Sequence, residues 1–295
     1  MDWRPSNNRG MVLIMALFML SSFISAVLLC TFLIGEEVNL DTRHQENLRR
    51  IQKMRRALLG KMADVPKGTE ITNCGGLFSE YGVKFLPPSK SNEWLIRKPD
   101  GAIKWHYDKE HHFWAGWRGP YYVVPPGEEN IKDEQGKPVI MDGWGNPFWL
   151  HIPCFYFQLK SRGKDGQEQK TDPATDYNRD IEIMDYMTAW TIKVQVNNRT
   201  DHDAYLFAQV VFPRIGEVVV APDPHAEDPK DRPVPHIVSA HNSHLFVIKA
   251  FGLTIGVRKV VIRDANTGKV VASKPFCVWP PSKEVLTKTE IDYTG

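Results

Sequence analysis

The feature that most constrains this chain is a stretch without a single charge. It runs from Met11 to Gly35 and reads MVLIMALFMLSSFISAVLLCTFLIG. As helix it reaches about 37 Å, against roughly 30 Å of bilayer hydrocarbon. A cleavable secretory signal has a shorter apolar core, about 7–15 residues, ahead of a small-residue cut site. Ile24 and Ala26 make a poor site of that kind, and Leu29 is too bulky before Cys30 for lipid attachment. A permanent span over 11–34 is therefore expected. Arg4 and Arg9 precede it, Glu36 and Glu37 follow it, and the large body lies on the C-terminal side. That arrangement predicts a single pass with the N-terminus inside and the body exported.

The helical pattern continues past the span. Leu48, Ile51, Met54, Leu58, Leu59 and Met62 recur at helical spacing, and no proline interrupts Met11 to Val65. One helix from Met11 to about Ala63 is the simplest expectation. It would be apolar all round in its first half and amphipathic in its second. Arg49, Arg50, Lys53, Arg55 and Arg56 fall mostly off the apolar stripe, as on a solvated face. Net charge is only +2 over 295 residues, so there is no electrostatic footprint for nucleic acid. Four cysteines without a CxxC pair give neither a disulfide scaffold nor a zinc spacing.

Three blocks stand out in the middle: WAGWRGPYYVVPPG (Trp114 to Gly127), DGWGNPFWLHIP (Asp142 to Pro153) and FQLKSRGKDGQEQKTDPATDYNRDIEI (Phe157 to Ile183). The second crowds turn formers, Asp142-Gly143 and then Gly145-Asn146-Pro147. It predicts a turn feeding an antiparallel hairpin of FWLHI and FYFQL, with Trp144 and Phe148 plugged back onto the domain. The third block is a polar loop with Asp165, Asp172, Asp176 and Asp180. Short carboxylates on a flexible loop suit calcium, which takes about 6–8 oxygen ligands. A solvated acidic loop has the same composition, and Lys164 and Lys170 add positive charge. Upstream, Pro87-Pro88 reads as loop punctuation, and the adjacent His111 and His112 point differently on any regular element.

Composition shifts near Asp185–Ala189. Short β-branched runs then follow one another, from WTIKVQVNNRT to KVVASKPFCVWP, with turn signals between them. They predict a β-sandwich of the immunoglobulin or transthyretin kind. His225, His236, His241 and His244 lie near one another, but there is no HExxH and no GxSxG elbow, so no enzyme is expected.

A short basic leader ending in Gly10, then an uncharged helix running into an amphipathic one, resembles a type IV pilin or type II secretion pseudopilin. The three middle blocks resemble the major pseudopilin of type II secretion in order and spacing. That pattern is Gly-Pro-Tyr, then Asp-Pro-Trp-Gly-Asn-Pro-Tyr, then Ser-x-Gly-Ala-Asp-Gly and a late Asp-Ile. The resemblance implies cleavage between Gly10 and Met11 by a prepilin peptidase and methylation of the new N-terminus. It implies residence in a bacterial inner membrane and stacking with other pilin-like subunits through Met15, Leu17, Leu20 and Phe23. It also implies calcium at Asp165, with Asp172 as a second ligand and Asp176 and Asp180 as alternatives. Met15 stands where the family usually carries glutamate, which resembles minor rather than bulk subunits.

The expectation is thus an α+β chain: leader 1–10, long helix 11–65, pseudopilin-like head 66–187 and β-sandwich 188–295. Its role would be structural, as a minor or decorated subunit. The alternative is a single-pass envelope protein whose sandwich binds a ligand without fibre assembly.

Overall fold

The structure, a computed structural model, describes residues 9–64, 75–82, 86–89, 92–153, 156–168, 177, 179–186, 188–223, 225–228, 232–278 and 288–294. The leader up to residue 8, Asp172 and Asp176 lie outside the described residues. The class is α+β: one long N-terminal helix followed by several β-sheets.

Helix α1 spans Arg9–Leu59, and a 3-10 turn continues it over Gly60–Ala63. The α-helix stops where it does because Gly60 takes φ 64°, a left-handed conformation that favours glycine. From Met11 to Val38 every large apolar side chain described is exposed, and coverage begins at Leu40. Further on, Ile51, Met54, Ala57, Leu58 and Leu59 are buried. The buried stripe also contains Asn47, a polar residue the apolar periodicity does not reveal. Arg50 departs from the expected solvated face. It is half-buried, holding Glu46 at 2.7 Å and Glu128 at 2.9 Å.

After the helix come α2 (Leu77–Glu80), β1 (Leu86–Ser89) and α3 (Glu93–Ile96). A small hairpin follows, β2 (His106–Asp108) with β3 (Phe113–Ala115). Then come β4 (Trp149–Ile152), β5 (Tyr156–Ser161) and β6 (Ile181–Tyr186), which with β1 form an antiparallel sheet ordered β1-β4-β5-β6. Pro87-Pro88, read as loop punctuation, lies in β1. The strand is at the sheet edge, where a missing N–H costs no ladder bond.

Sheet membership changes after β6. Strands β7 (Thr188–Asn198), β8 (Ala204–Arg214), β9 (Glu217–Ala221), β10 (His236–Val238), β11 (Ser243–Thr254), β12 (Gly256–Asp264), β13 (Val270–Val278) and β14 (Lys288–Tyr293) make two further sheets. One runs β10-β8-β12-β13 with β9 also on β8. The other runs β11-β7-β14, with β14 parallel to β7. Alternate residues of β7 and β11, including Ile192, Val194, Phe246 and Ile248, are buried against Leu206, Val210 and Ile262 of the first sheet.

Candidate functional site

Among the described residues, most exposed large apolar side chains lie on α1. Met15, Leu17, Leu20 and Phe23 are each more than half exposed. A shallow groove along one side is lined by Ile14, Leu17, Phe18, Ser21, Ser22 and Ser25. The groove contains Leu17, and the other three proposed stacking residues lie outside its lining. Gly10 and Met11 both lie within α1. By length and composition this helix could cross a membrane.

The motif turn joins the body to this helix. Gly143 sits so close to α1 that a Cβ there would lie 2.3 Å from the carbonyl oxygen of Arg43 and 2.6 Å from the amide of Asn47. Only glycine allows that approach. Beside it, Asp142 is 2 % exposed. Its Oδ1 accepts from the amides of Trp144 (2.9 Å) and Asn146 (2.8 Å), and its Oδ2 from the Ser161 hydroxyl at 2.7 Å. The same hydroxyl accepts from Asn47 Nδ2 at 2.8 Å. Burial pushes the Asp142 carboxyl above its usual range, opposed by these hydrogen bonds. Asn146 Nδ2 donates to the carbonyl of Gly163 at 2.8 Å, and a Cβ on Gly166 would lie 2.8 Å from Asn146 Oδ1. The DGWGNP and SRGKDG blocks therefore interlock, and both bear on α1. The expected turn and hairpin are present. Asp142, Ser161 and Asn47 are the residues that motif reading missed as a unit.

Among the described residues, two further carboxylates of this region, Glu168 and Asp180, are met by cations. Asp165 is exposed and caps its own turn, accepting from the Gln167 amide at 3.0 Å. Asp180 pairs with Lys160 at 2.9 Å, and Glu168 with Lys160 at 3.3 Å and Arg162 at 3.7 Å. Of the four calcium candidates, Asp165 is thus the described one left open to solvent. Among the described residues no three His, Cys, Asp or Glu side chains gather as a metal set. Tyr177 lies at the end of this loop, and its hydroxyl donates to Asp41 of α1. Its ring meets His44 and Trp144, each at 5.9 Å between centroids.

The C-terminal sheets are welded to the rest. Arg258 of β12 is fully buried. Its guanidinium donates to the carbonyls of Ser79 (2.9 Å) and Phe78 (3.1 Å) in α2, and to those of Thr254 (2.9 Å) and Val257 (2.7 Å). It also donates to the Thr254 hydroxyl at 2.6 Å. Alongside, the amides of Ile215 and Gly216 donate to Gly82 and Tyr81 at 2.6 and 2.7 Å. Cβ atoms on Gly82 and Gly256 would lie 1.9 Å from the Pro213 carbonyl oxygen and 2.5 Å from the Ser79 hydroxyl oxygen. Nearby Glu80 is 4 % exposed and faces Arg118 at 2.7 Å. Burial raises its carboxyl above the usual range against the pull of that arginine.

The histidines divide. His111 pairs with Asp108, whereas His112 bonds to the Tyr107 hydroxyl, so the adjacent pair does point apart. His236 of β10 and His244 of β11 stack at 4.3 Å, and burial, with His236 beside it, lowers the His244 pKa. His241 pairs instead with Asp201 at 2.9 Å. Comparison with protein-family models, curated proteins and solved structures finds no match to this chain.

Proposed function

We propose that this chain is a pilin-like subunit of a type II secretion or type IV pilus-like machine. The observation that carries this reading is the convergence of the resembling blocks on α1. DGWGNP and SRGKDG interlock through Asp142, Ser161 and Asn146, and they clamp the helix at Arg43 and Asn47. From Met11 to Gly35 the helix carries no charge, and its described large apolar side chains are exposed, as a shaft that stacks with others requires. On this reading the sheet β1-β4-β5-β6 with α1 is the pseudopilin-like head, and β7 to β14 form the sandwich that decorates it. The helix spans the inner membrane before assembly, with the body outside. Met15 assigns the chain to the minor subunits.

Intact mass of the membrane-extracted protein tests the assignment. Cells with an active prepilin peptidase should yield a chain that starts at Met11 and carries one added methyl group. Cells without the peptidase should keep residues 1–10. A chain that starts at Met1 in both strains refutes it. The envelope-anchored binding protein remains the alternative. It predicts no crosslinks between helices of neighbouring copies through positions 15, 17, 20 and 23.

A further inference from the structure

Two distances along α1 decide how the body stands relative to the bilayer. The last uncharged residue of the run is Gly35, and the first helix residue that the body covers is Leu40. Five residues of helix rise about 7.5 Å. The headgroup layer on each side of the hydrocarbon is about 5–8 Å thick, half the difference between the full bilayer and its core. Almost no clearance is left.

Among the described residues, the contacts of the body with α1 nearest the uncharged run lie at this level. Tyr177 bonds to Asp41 and touches His44, Trp144 packs edge-on against Tyr177, and Gly143 abuts the helix at Arg43. Arg43 and Lys164 are exposed here, and the Lys164 amide donates to the Tyr177 carbonyl. The exposed acids at this height are Glu36, Glu37 and Asp165, while Asp41, also exposed, is engaged by Tyr177. Trp144, its Nε1 enclosed, and Tyr177 are half-buried rings flanked by exposed charges of both signs, and aromatic rings of this kind gather at membrane interfaces. They occupy the height along the helix where an interface falls.

We propose that the end of the body formed by Trp144, Tyr177, Arg43 and Lys164 rests on the phospholipid headgroups of the bilayer that α1 spans. This rests on the reading of α1 as a membrane span. It gives the DGWGNP turn a second role: besides clamping the helix, it fixes the height at which the body meets the lipid surface. Extraction of the subunit from the bilayer then separates Trp144 and its neighbours from lipid.

The test uses the full chain carrying Trp3→Phe, in phosphatidylethanolamine–phosphatidylglycerol nanodiscs that contain a lipid with a nitroxide on its headgroup. The headgroup nitroxide should quench part of the tryptophan emission. Trp144→Phe should lose most of that quenched part, and Trp114→Phe should lose none. Trp114 stacks on Trp105, which Arg118 covers, and Arg118 lies by Gly75 at the Leu59 end of the helix. That end stands about 27 Å farther from the membrane than Asp41. Photo-crosslinking covers the case in which Trp144→Phe unfolds. A benzophenone amino acid at position 164 should add a phospholipid mass, and one at position 114 should not. If the chain resists carbonate extraction, yet all variants are quenched alike and position 164 captures no lipid, the proposal is overturned. If carbonate strips the chain from the membrane, the span reading itself fails and the proposal falls with it.

Discussion

Arg258→Met should loosen the whole body, and the structure sets the size of the effect. The guanidinium is fully buried, and two of its acceptors, the carbonyls of Phe78 and Ser79, belong to α2. Methionine fills much of the same length and removes a charge that was costly to bury. It cannot remove the main-chain carbonyls, so the usual recovery from replacing a buried charge with an apolar residue does not apply. The Phe78 carbonyl keeps the Thr254 hydroxyl at 3.1 Å, but the Ser79 carbonyl loses its donor, and an orphaned buried carbonyl costs about 1–3 kcal/mol, so the loss is about 2 kcal/mol. A body of this size loses about 2–4 °C of melting temperature per kcal/mol, so the drop should be roughly 4–8 °C. Arg258→Lys should recover little, because an ammonium lacks the planar fork that spans both segments. Lys249→Met, at an exposed site on β11, should change almost nothing. Thermal unfolding of the purified full chain, followed by tryptophan fluorescence, measures all three. An Arg258→Met chain that melts within about 2 °C of the parent would refute the weld.

Three further outcomes can be measured, two from the geometry and one from the resemblance. Gly143→Ala places a Cβ 2.3 Å from the Arg43 carbonyl oxygen, which must push the turn off α1. Denaturant titration should show a loss of about 1–3 kcal/mol, and an unchanged midpoint would remove the close approach as a cause. Glu46 is held down to about 2 by its hydrogen bond to Arg49, with Arg50 adding to the effect. Its folded value is depressed, so its contribution is present above the ordinary value of 4.5 and is lost as pH falls towards 2. Glu46→Gln should therefore cost about 1 kcal/mol at neutral pH, after allowance for solvent screening. The gap to the parent should narrow between those two pH values, and a gap that ignores pH would show that packing rather than charge is lost. Calcium at the third block predicts a higher melting temperature in calcium than in chelator, abolished by Asp165→Ala. Equal melting in both solutions would sink that ligand.

Much of this architecture could be read from the residues. The proline-free, helix-periodic stretch gave α1 within a few residues, because length and apolar spacing are both local properties. The turn formers around Gly145 gave the turn and the β4–β5 hairpin for the same reason. What stayed hidden was what distant segments do to one another. Asn47 interrupts an apolar stripe and reads as a defect until Ser161, far along the chain, supplies its acceptor. Arg258 sits in phase with Val260 and Ile262, so strict alternation places it inside. A charge at such a position is discounted unless its carbonyl partners in α2 are known. The edge strand β1 was hidden by its two prolines, whose cost vanishes only when the strand order puts them at an edge.

On the proposed reading, the hydrophobic effect keeps α1 out of water but does not choose between bilayer and fibre. Lipid tails and neighbouring helices are equally apolar, so transfer from one to the other returns little from area alone. A glutamate at position 15 would need a partner in either setting and would bias that transfer. Met15 needs none, so the helix passes between the two with no electrostatic preference for a register. Selection of a place in the fibre must then fall on the body. The body that a neighbour meets is larger than a head, because Arg258 and the contacts of Gly82 and Gly256 lock the C-terminal sheets to α2. A neighbouring subunit must therefore fit the head and the C-terminal sheets together. A single point such as the Arg258 clamp can consequently control assembly without touching the helix that does the stacking.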